Sequence, residues 1–216
     1  MDAVFGKLGE IGIVPVVVLE DEALAVPLGR ALIAGGVPCA EITFRTGAAA
    51  AVIRRLSEEL PELLVGAGTV LTPAQADAAK AAGAKFAVAP GLNPGNVRYC
   101  RDIGLPMLPG CATPSDIERA LDLGLDALKF FPAKELGGLP YIKALAAPYR
   151  SVSFMPTGGV SLANLGEYIG FSRVIACGGS YMVSAQLIRE RNWDEVSSLC
   201  KRSVEIIKNA RKAVEL

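Results

Sequence analysis

Residues 127–132 of the chain read ALKFFP, a composition typical of a buried β-strand that ends at a proline. Proline cannot donate a backbone hydrogen bond, so a strand that reaches Pro132 ends there. Lys129 is unusual within this strand, because lysine is almost never fully buried without a partner and burial disfavours its charged form. A neutral buried amine can attack a carbonyl carbon and form a Schiff base, so the strand predicts that Lys129 is a nucleophile.

Similar short apolar runs recur along the chain, and longer stretches with helical periodicity separate them. The predicted strands cover residues 13–19, 39–43, 63–67, 86–89, 106–108, 127–131, 152–156 and 174–177. The predicted helices cover residues 22–34, 47–59, 72–82, 94–103, 113–123, 141–147, 161–169 and 193–213. Eight strand–helix units without a long linker predict a single compact domain over residues 1–216, folded as a (β/α)8 TIM barrel of the α/β class. A doubly wound open sheet is the alternative.

Local signals mark the ends of the predicted helices. Thr72 and Thr113 each precede a proline, which is the pattern of an N-cap followed by proline in the first helical turn. Glycine can end a helix in the left-handed conformation and turn the chain into the next strand. Glycines stand at such positions before four predicted strands: Gly35–Gly36, Gly83, Gly104 and Gly124.

The bulk composition excludes several classes of protein. Lys+Arg and Asp+Glu both number 22, so the formal net charge of zero gives no reason to expect a nucleic acid or an anionic membrane as partner. The chain has no histidine, which excludes imidazole as base, acid or metal ligand. Its five cysteines are scattered without a CxxC pair, which favours reduced thiols in a cytoplasmic protein over a zinc site or disulfides. Residues 1–10 do not resemble a signal peptide, and the apolar run 11–19 is too short to cross a bilayer.

In a barrel of this kind the functional site lies at the carboxyl ends of the strands. Glu41 and Arg45 share one parity along the second strand, so both point to the lumen or its rim, as does Lys129 on the sixth strand. Lys129 would attack a carbonyl, Glu41 would move protons, and Arg45 would bind a carboxylate in its planar fork. Phe131 shares the parity of Lys129 and would help to exclude water from the amine. An internal salt bridge between Glu41 and Lys129 is the alternative.

Two glycine clusters follow the last two predicted strands, TGG at residues 157–159 and GGS at residues 178–180. Barrels of this type often bind phosphate at this place through backbone N–H groups, and glycine lets the backbone approach the anion. The alternative is that each pair only makes a tight turn. Thr69, at the end of the third strand, has a hydroxyl that can bond a substrate oxygen, whereas Pro90–Gly91 after the fourth strand mainly predicts a turn.

Six motifs in this order resemble one family. They are EITFRT at 41–46, GAGTV at 66–70, APG at 89–91, LKFFPA at 128–133, PTGG at 156–159 and GGS at 178–180. From about Ile11 to the last helix the chain resembles the bacterial 2-keto-3-deoxy-6-phosphogluconate (KDPG) aldolases, which include bifunctional 4-hydroxy-2-oxoglutarate (KHG) aldolases. Residues 181–184, YMVS, depart from the tryptophan-leucine-valine-proline expected there, in the wall of the phosphate pocket.

The resemblance implies a class I aldolase with a (β/α)8 barrel, usually a homotrimer, that acts on a small-molecule 2-keto acid and needs no metal or other cofactor. It implies that Lys129 is the Schiff-base lysine and Glu41 the proton-transfer residue. It further implies substrate contacts for nine residues: Arg45 and Thr69 with the pyruvate part, Thr157 near the aldehyde part, Gly158, Gly159, Gly179 and Ser180 with the phosphate, and also Pro90 and Phe131.

We therefore expect cleavage of 2-dehydro-3-deoxy-6-phosphogluconate to pyruvate and glyceraldehyde 3-phosphate. The nearest alternative is the same chemistry on KHG, which gives pyruvate and glyoxylate. Two alternatives of other classes are a phosphate-binding barrel isomerase without a covalent lysine and a non-catalytic sugar-phosphate sensor, which the fold alone cannot separate from an aldolase.

Overall fold

Parallel strands alternate with helices in the computed structural model, which describes residues 1–213. The strands in this part of the chain are β1 Ile13–Val17, β2 Cys39–Thr43, β3 Leu64–Gly68, β4 Ala87–Val88, β5 Met107–Leu108, β6 Ala127–Phe130, β7 Ser153–Pro156 and β8 Cys177–Gly179. The α-helices are α1 Ala3–Ile11, α2 Ala25–Ala34, α3 Ala49–Glu59, α4 Pro73–Ala81, α5 Pro94–Asp102, α6 Pro114–Asp122, α7 Gly138–Ala146, α8 Leu165–Ile169, α9 Ala185–Arg189 and α10 Trp193–Lys212. Two 3₁₀ turns, Glu22–Leu24 and Tyr181–Val183, precede α2 and α9.

The strands form a closed ring. Six of them hydrogen-bond in the order β5-β4-β3-β2-β1-β8, and β6 pairs with β7. Isolated parallel bridges complete the ring, from Gly110 to Lys129 between β5 and β6 and from Thr157 to Gly178 between β7 and β8. The prediction of a (β/α)8 barrel is confirmed, because an open doubly wound sheet would leave two unpaired edges.

The helix-end signals act as their chemistry predicts. Thr113 and Asp116 form a reciprocal capping box at the start of α6, and the Thr72 hydroxyl accepts from the Gln75 amide at the start of α4. The glycines before the strands adopt positive φ at Gly36, Gly83, Gly104 and Gly124, although Gly35 itself stays right-handed. The chain therefore turns sharply from helix to strand and keeps the units short.

The predicted position of the eighth strand is wrong. The sequence predicts it at residues 174–177 with Gly178 and Gly179 in the loop beyond, but β8 begins at Cys177 and contains both glycines. The cause is its register against β1, where Ile13, Val14 and Pro15 lie opposite Cys177, Gly178 and Gly179. Val174 instead makes a single bridge to Phe154 of β7.

Two helices have no counterpart in the sequence prediction, α1 and α9, and the predicted first helix begins late, at Ala25. The signals for α1 are local ones: the Asp2 side chain accepts from the Val4 amide, and Gly12 ends the helix at a φ of +82°. The five residues of α9 are too few for a periodic pattern to identify them.

All five cysteines are buried free thiols. Burial raises the pKa of Cys100 to about 11 and those of Cys111 and Cys200 to about 12, so these thiols stay protonated near neutral pH. Free cysteine packs as a small apolar side chain, and all five lie buried in the core. No helix within residues 1–213 is long and apolar enough to cross a membrane. The assignment of residues 1–216 to one domain stays a prediction, and its last three residues lie outside the described part.

Arg211 joins the two ends of the chain at the base of the barrel. Its guanidinium, near the end of α10, donates to the carbonyl oxygens of Glu10 at 3.0 Å, Ile175 at 3.4 Å and Gly9. The carbonyls of Gly9 and Glu10 belong to the last turn of α1, where helical carbonyls lack intrahelical partners and a cation is favourable. One side chain thus connects α1, α10 and the segment that leads into β8.

We expect Arg211→Ala to lower the free energy of unfolding by about 1.5–3 kcal/mol, because hydrogen bonds that involve a charged group contribute that much. Urea unfolding followed by circular dichroism measures the change. Lys208→Ala, at an exposed position on the same helix, is the control and should stay within about 0.5 kcal/mol of the wild type. Equal stability of the two variants would contradict the role given to Arg211.

Candidate active site

An acid and an amine face each other inside the barrel. Lys129 Nζ of β6 lies 3.7 Å from Glu41 Oε1 of β2, and the two side chains are only 6% and 1% exposed. Neither carboxylate oxygen of Glu41 has a hydrogen-bond partner among residues 1–213. The predicted convergence of these two residues thus occurs in the structure, in a dry environment where charges interact strongly.

The backbone of Lys129 is held on both sides. Its N–H donates to the Pro109 carbonyl at 2.9 Å, and its carbonyl accepts from the Cys111 amide at 2.8 Å. On the other side Lys129 lies opposite Met155 of β7. The ring of Phe131 has its centroid 5.0 Å from Nζ, as the shared parity predicted, so an aromatic face covers the amine.

Glu41 has room in the lumen because β3 is rich in glycine. A Cβ atom on Gly68 would lie 2.7 Å from Glu41 Cγ and 2.9 Å from its Cδ, so any larger residue there would displace the carboxylate. A Cβ atom on Gly66 would meet the ring of the buried Phe86. The glycines of the GAGT motif therefore make space for the side chains of neighbouring strands.

A cavity of about 830 Å³ opens at the carboxyl ends of the strands. Lys129 adjoins it through Phe131, whose ring forms part of the wall. Seven of the predicted site residues line the cavity: Arg45, Phe131, Thr157, Gly158, Gly159, Gly179 and Ser180. The structure therefore brings together the proposed carboxylate-binding arginine and both glycine clusters at one opening.

Thr157 follows directly after β7 and is fixed by its backbone. Its N–H donates to the Phe130 carbonyl at 2.9 Å, and its carbonyl accepts from the Ala133 amide at 2.8 Å. The side chain lies over Gly178, where a Cβ atom would come within 3.0 Å of Thr157 Cγ2. Its hydroxyl is buried and has no hydrogen-bond partner in the described part of the chain, so it can bond a molecule in the cavity.

The first glycine cluster makes a turn that other residues rarely adopt. Gly158 and Gly159 have φ values of +96° and +73°. No protein group within residues 1–213 accepts from the backbone N–H of Gly159 or of Ser180. The tight turn considered as an alternative is present, but it also leaves donors at the cavity wall, which is what an anion site needs.

Thr69 and Pro90 do not line this cavity. Both stand at the same end of the barrel, beyond β3 and β4, and the Pro90 carbonyl lies against Gly110, where no Cβ atom would fit. Thr69 adopts a φ of +58°, a conformation that is rare for a β-branched residue. Their predicted contacts with substrate stay predictions.

Three charged residues of the cavity wall were not predicted. Glu20 and Asp21 follow β1, and Arg189 ends α9. The sequence could have identified the two acids as site residues, because they directly follow the predicted first strand at the end of the barrel where sites form. No feature of the sequence identifies Arg189 as a site residue, since the sequence does not show that α9 folds back onto the mouth of the barrel. Within the described residues, no group of three or more Cys, Asp or Glu side chains could hold a metal ion.

A family model described as KDPG and KHG aldolase matches residues 4–199.

The chain belongs to this family. The resemblance seen in its motifs is confirmed. The chain is 49% identical to the 2-dehydro-3-deoxy-phosphogluconate aldolase of Treponema pallidum, over 96% of this chain and 99% of the relative.

Two crystal structures of KDPG aldolases are similar over nearly the whole fold. The enzyme of Zymomonas mobilis ZM4, with 3-phosphoglycerate, has a TM-score of 0.88 at 36% identity and covers 94% of this chain and 95% of its own. The enzyme of Legionella pneumophila was solved with pyruvate captured at low pH as a covalent carbinolamine intermediate. Its TM-score is 0.87 at 37% identity, and the match covers 92% of this chain and 95% of the Legionella chain.

We expect Gly68→Ala to reduce aldolase turnover about a hundredfold, because the new Cβ atom would move the Glu41 carboxylate by about an ångström. Gly91→Ala is the matched control: a Cβ atom there meets no heavy atom within 4 Å, and Gly91 follows β4 at the same end of the barrel. Steady-state kinetics with a coupled pyruvate assay measures both variants. If Gly68→Ala turns over as fast as Gly91→Ala, the placement of Glu41 is wrong.

Proposed function

We propose that the protein is a class I aldolase that cleaves 2-dehydro-3-deoxy-6-phosphogluconate to pyruvate and glyceraldehyde 3-phosphate. The observation that carries the proposal is the buried pair of Lys129 and Glu41, with Nζ 3.7 Å from Oε1, beside a cavity lined by a glycine turn whose backbone N–H groups can bind an anion. The family membership and the covalent pyruvate complex of the Legionella relative support the same chemistry.

The first half of the reaction forms the covalent intermediate. The neutral amine of Lys129 attacks the C2 keto carbon, and proton transfer to the oxygen gives a carbinolamine. Loss of water then leaves a cationic iminium between Nζ and C2. Glu41 Oε1, 3.7 Å from Nζ, would exchange protons with the amine and with the departing oxygen through one water or after a small movement, and Phe131 covers the amine on one side.

The second half breaks the carbon–carbon bond. Glu41, directly or through one water, removes the proton of the C4 hydroxyl, and the C3–C4 bond breaks as the C4 carbonyl forms. The electron pair of the broken C3–C4 bond moves through C3 and C2 to the iminium nitrogen. This gives an enamine, and glyceraldehyde 3-phosphate leaves. Protonation at C3 and hydrolysis of the iminium release pyruvate and regenerate Lys129.

The alternative of a purely structural salt bridge agrees poorly with the surroundings of Glu41. A buried ion pair is tolerated when further hydrogen bonds satisfy its remaining lone pairs. Both Glu41 oxygens lack such a bond within residues 1–213, although the side chain is almost completely buried. A carboxylate with free acceptor capacity beside a buried amine suits a proton-transfer role.

Covalent trapping tests the proposal directly. We expect pyruvate and borohydride to leave a stable adduct on Lys129, found by peptide mass spectrometry, and none on Lys129→Ala. We expect Lys129→Arg, which keeps the charge but not the nucleophile, to lose at least about a thousandfold in kcat. Glu41→Gln should lose about a hundredfold to ten-thousandfold.

The same experiment separates the other classes. An isomerase or a sugar-phosphate sensor on this barrel uses no covalent lysine and would give no adduct on the wild type. Lys129→Ala that splits the substrate at the wild-type rate would also refute the aldolase mechanism.

The choice between KDPG and KHG depends on the phosphate. The wall near Gly159 and Ser180 offers backbone donors. Arg189 lines the same cavity, and its guanidinium makes no hydrogen bond or salt bridge to any residue of the described chain. We include Arg189 in the phosphate site because a guanidinium binds phosphate strongly and can offset the nearby Glu20 and Asp21.

We expect Arg189→Gln to raise KM for KDPG about tenfold, since it removes a charge-assisted contact to phosphate. Ser180→Ala keeps the backbone N–H and removes only a hydroxyl donor beside it, so it should raise KM for KDPG less than Arg189→Gln does. Both variants should change KM for KHG less than about twofold. Arg191→Gln is the control, because Arg191 has the same charge, is exposed and lies two residues away outside the cavity wall. Equal effects on both substrates would favour KHG as the natural one.

The resemblance implies a homotrimer, and the scattered cysteines predict a cytoplasmic protein. The homotrimer stays a prediction, which sedimentation velocity can measure. The cytoplasmic location also stays a prediction.

A further inference from the structure

Thr69 is held in an unfavourable backbone conformation at the mouth of the barrel. Its φ of +58° is uncommon for any residue with a Cβ atom and costly for a β-branched one. Such strain persists only where the surroundings impose it, and it concentrates at functional sites. Thr69 directly follows Gly68, against which the Glu41 carboxylate packs.

Three hydrogen bonds fix the residues on both sides of Thr69. The Gly68 carbonyl accepts from the Phe44 amide at 2.8 Å, and the Val70 amide donates to the Val88 carbonyl at 3.0 Å. Both bonds continue the ladders with neighbouring strands. The third comes from a side chain: Asn96 Nδ2 donates to the Val70 carbonyl at 2.9 Å.

Asn96 is an unusual choice for this position. It lies in the first turn of α5, only 4% exposed, and its Oδ1 atom is buried without a partner in the described part of the chain. A buried amide that is satisfied at one end only costs free energy that an apolar residue of similar size would avoid. The hydrogen bond to the Val70 carbonyl therefore explains the residue, since an apolar side chain would leave that buried carbonyl without this partner.

We propose that Asn96 is a positioning residue for the keto-acid end of the substrate. By holding the Val70 carbonyl, it keeps Thr69 in the left-handed conformation and so fixes the direction of the Thr69 side chain, directly after the Gly68 against which the Glu41 carboxylate packs. This inference rests on the proposed function and on the contact of Thr69 with the pyruvate part, which the resemblance implies.

The experiment measures the affinity for pyruvate, from the fraction of Lys129 trapped by borohydride as the pyruvate concentration is varied. We expect Asn96→Leu and Asn96→Asp each to weaken pyruvate binding about tenfold. The aspartate variant keeps the size of the side chain but replaces the N–H donor with a carboxyl oxygen that repels the Val70 carbonyl, so it breaks the same hydrogen bond in a second way if the leucine variant folds poorly. Thr69→Ala should have an effect of similar size.

The double variant Asn96→Asp with Thr69→Ala distinguishes positioning from general loss of structure. If Asn96 acts through Thr69, the double variant binds pyruvate no more weakly than the worse single variant. Val97→Ala is the control, because Val97 is the next residue on α5 and is buried to the same degree. It should lower the melting temperature and leave the pyruvate affinity unchanged.

Each possible result of these experiments either supports or overturns the role proposed for Asn96. Three results would overturn the inference: unchanged pyruvate affinity in both Asn96 variants, fully additive effects in the double variant, or an equal loss of pyruvate affinity in Val97→Ala. The aldolase mechanism would still stand in each case if the wild type forms the adduct on Lys129. A wild type that forms no adduct at Lys129 would overturn the proposed function, and this inference with it.

Discussion

The arrangement of this barrel depends on the contact between Lys129 and Glu41, 3.7 Å apart and almost fully buried. Taking a carboxylate and an amine out of water is costly, so the fold must hold both in place without much freedom. The closed ring of strands does this, because β2 and β6 lie across the lumen from each other and each is hydrogen-bonded on both sides. A rigid scaffold of this kind keeps reacting groups oriented before a substrate arrives.

Glycines shape the site because they have no side chain. Gly68 leaves the volume that the Glu41 carboxylate occupies, and Gly178 leaves the volume for Thr157. Gly158 and Gly159 have a different role, since their positive φ values bring backbone donors to the cavity wall. The glycine-rich motifs therefore do not share one purpose: some make space, and others supply a turn.

The site divides into two regions of different chemistry. One is the buried interior around Lys129, where low polarity favours covalent chemistry on a carbonyl. The other is the open cavity with Gly159, Ser180 and Arg189, where backbone donors and a cation suit an anion. In the proposed reaction the bond that breaks lies between the two, so the enzyme would hold both ends of the substrate away from the scissile bond.

The sequence by itself determined what depends on neighbouring residues along the chain. Alternation of short apolar runs and helical stretches gave the eight units, Thr113 marked the start of α6, and side-chain parity placed Glu41 and Lys129 in the lumen. Only the tertiary structure decided that β8 begins at Cys177, because its register is set by pairing with β1. It alone brought Arg189 to the cavity and placed Asn96 behind the strained Thr69. These contacts join elements far apart in the chain, and no local pattern encodes which of them will meet.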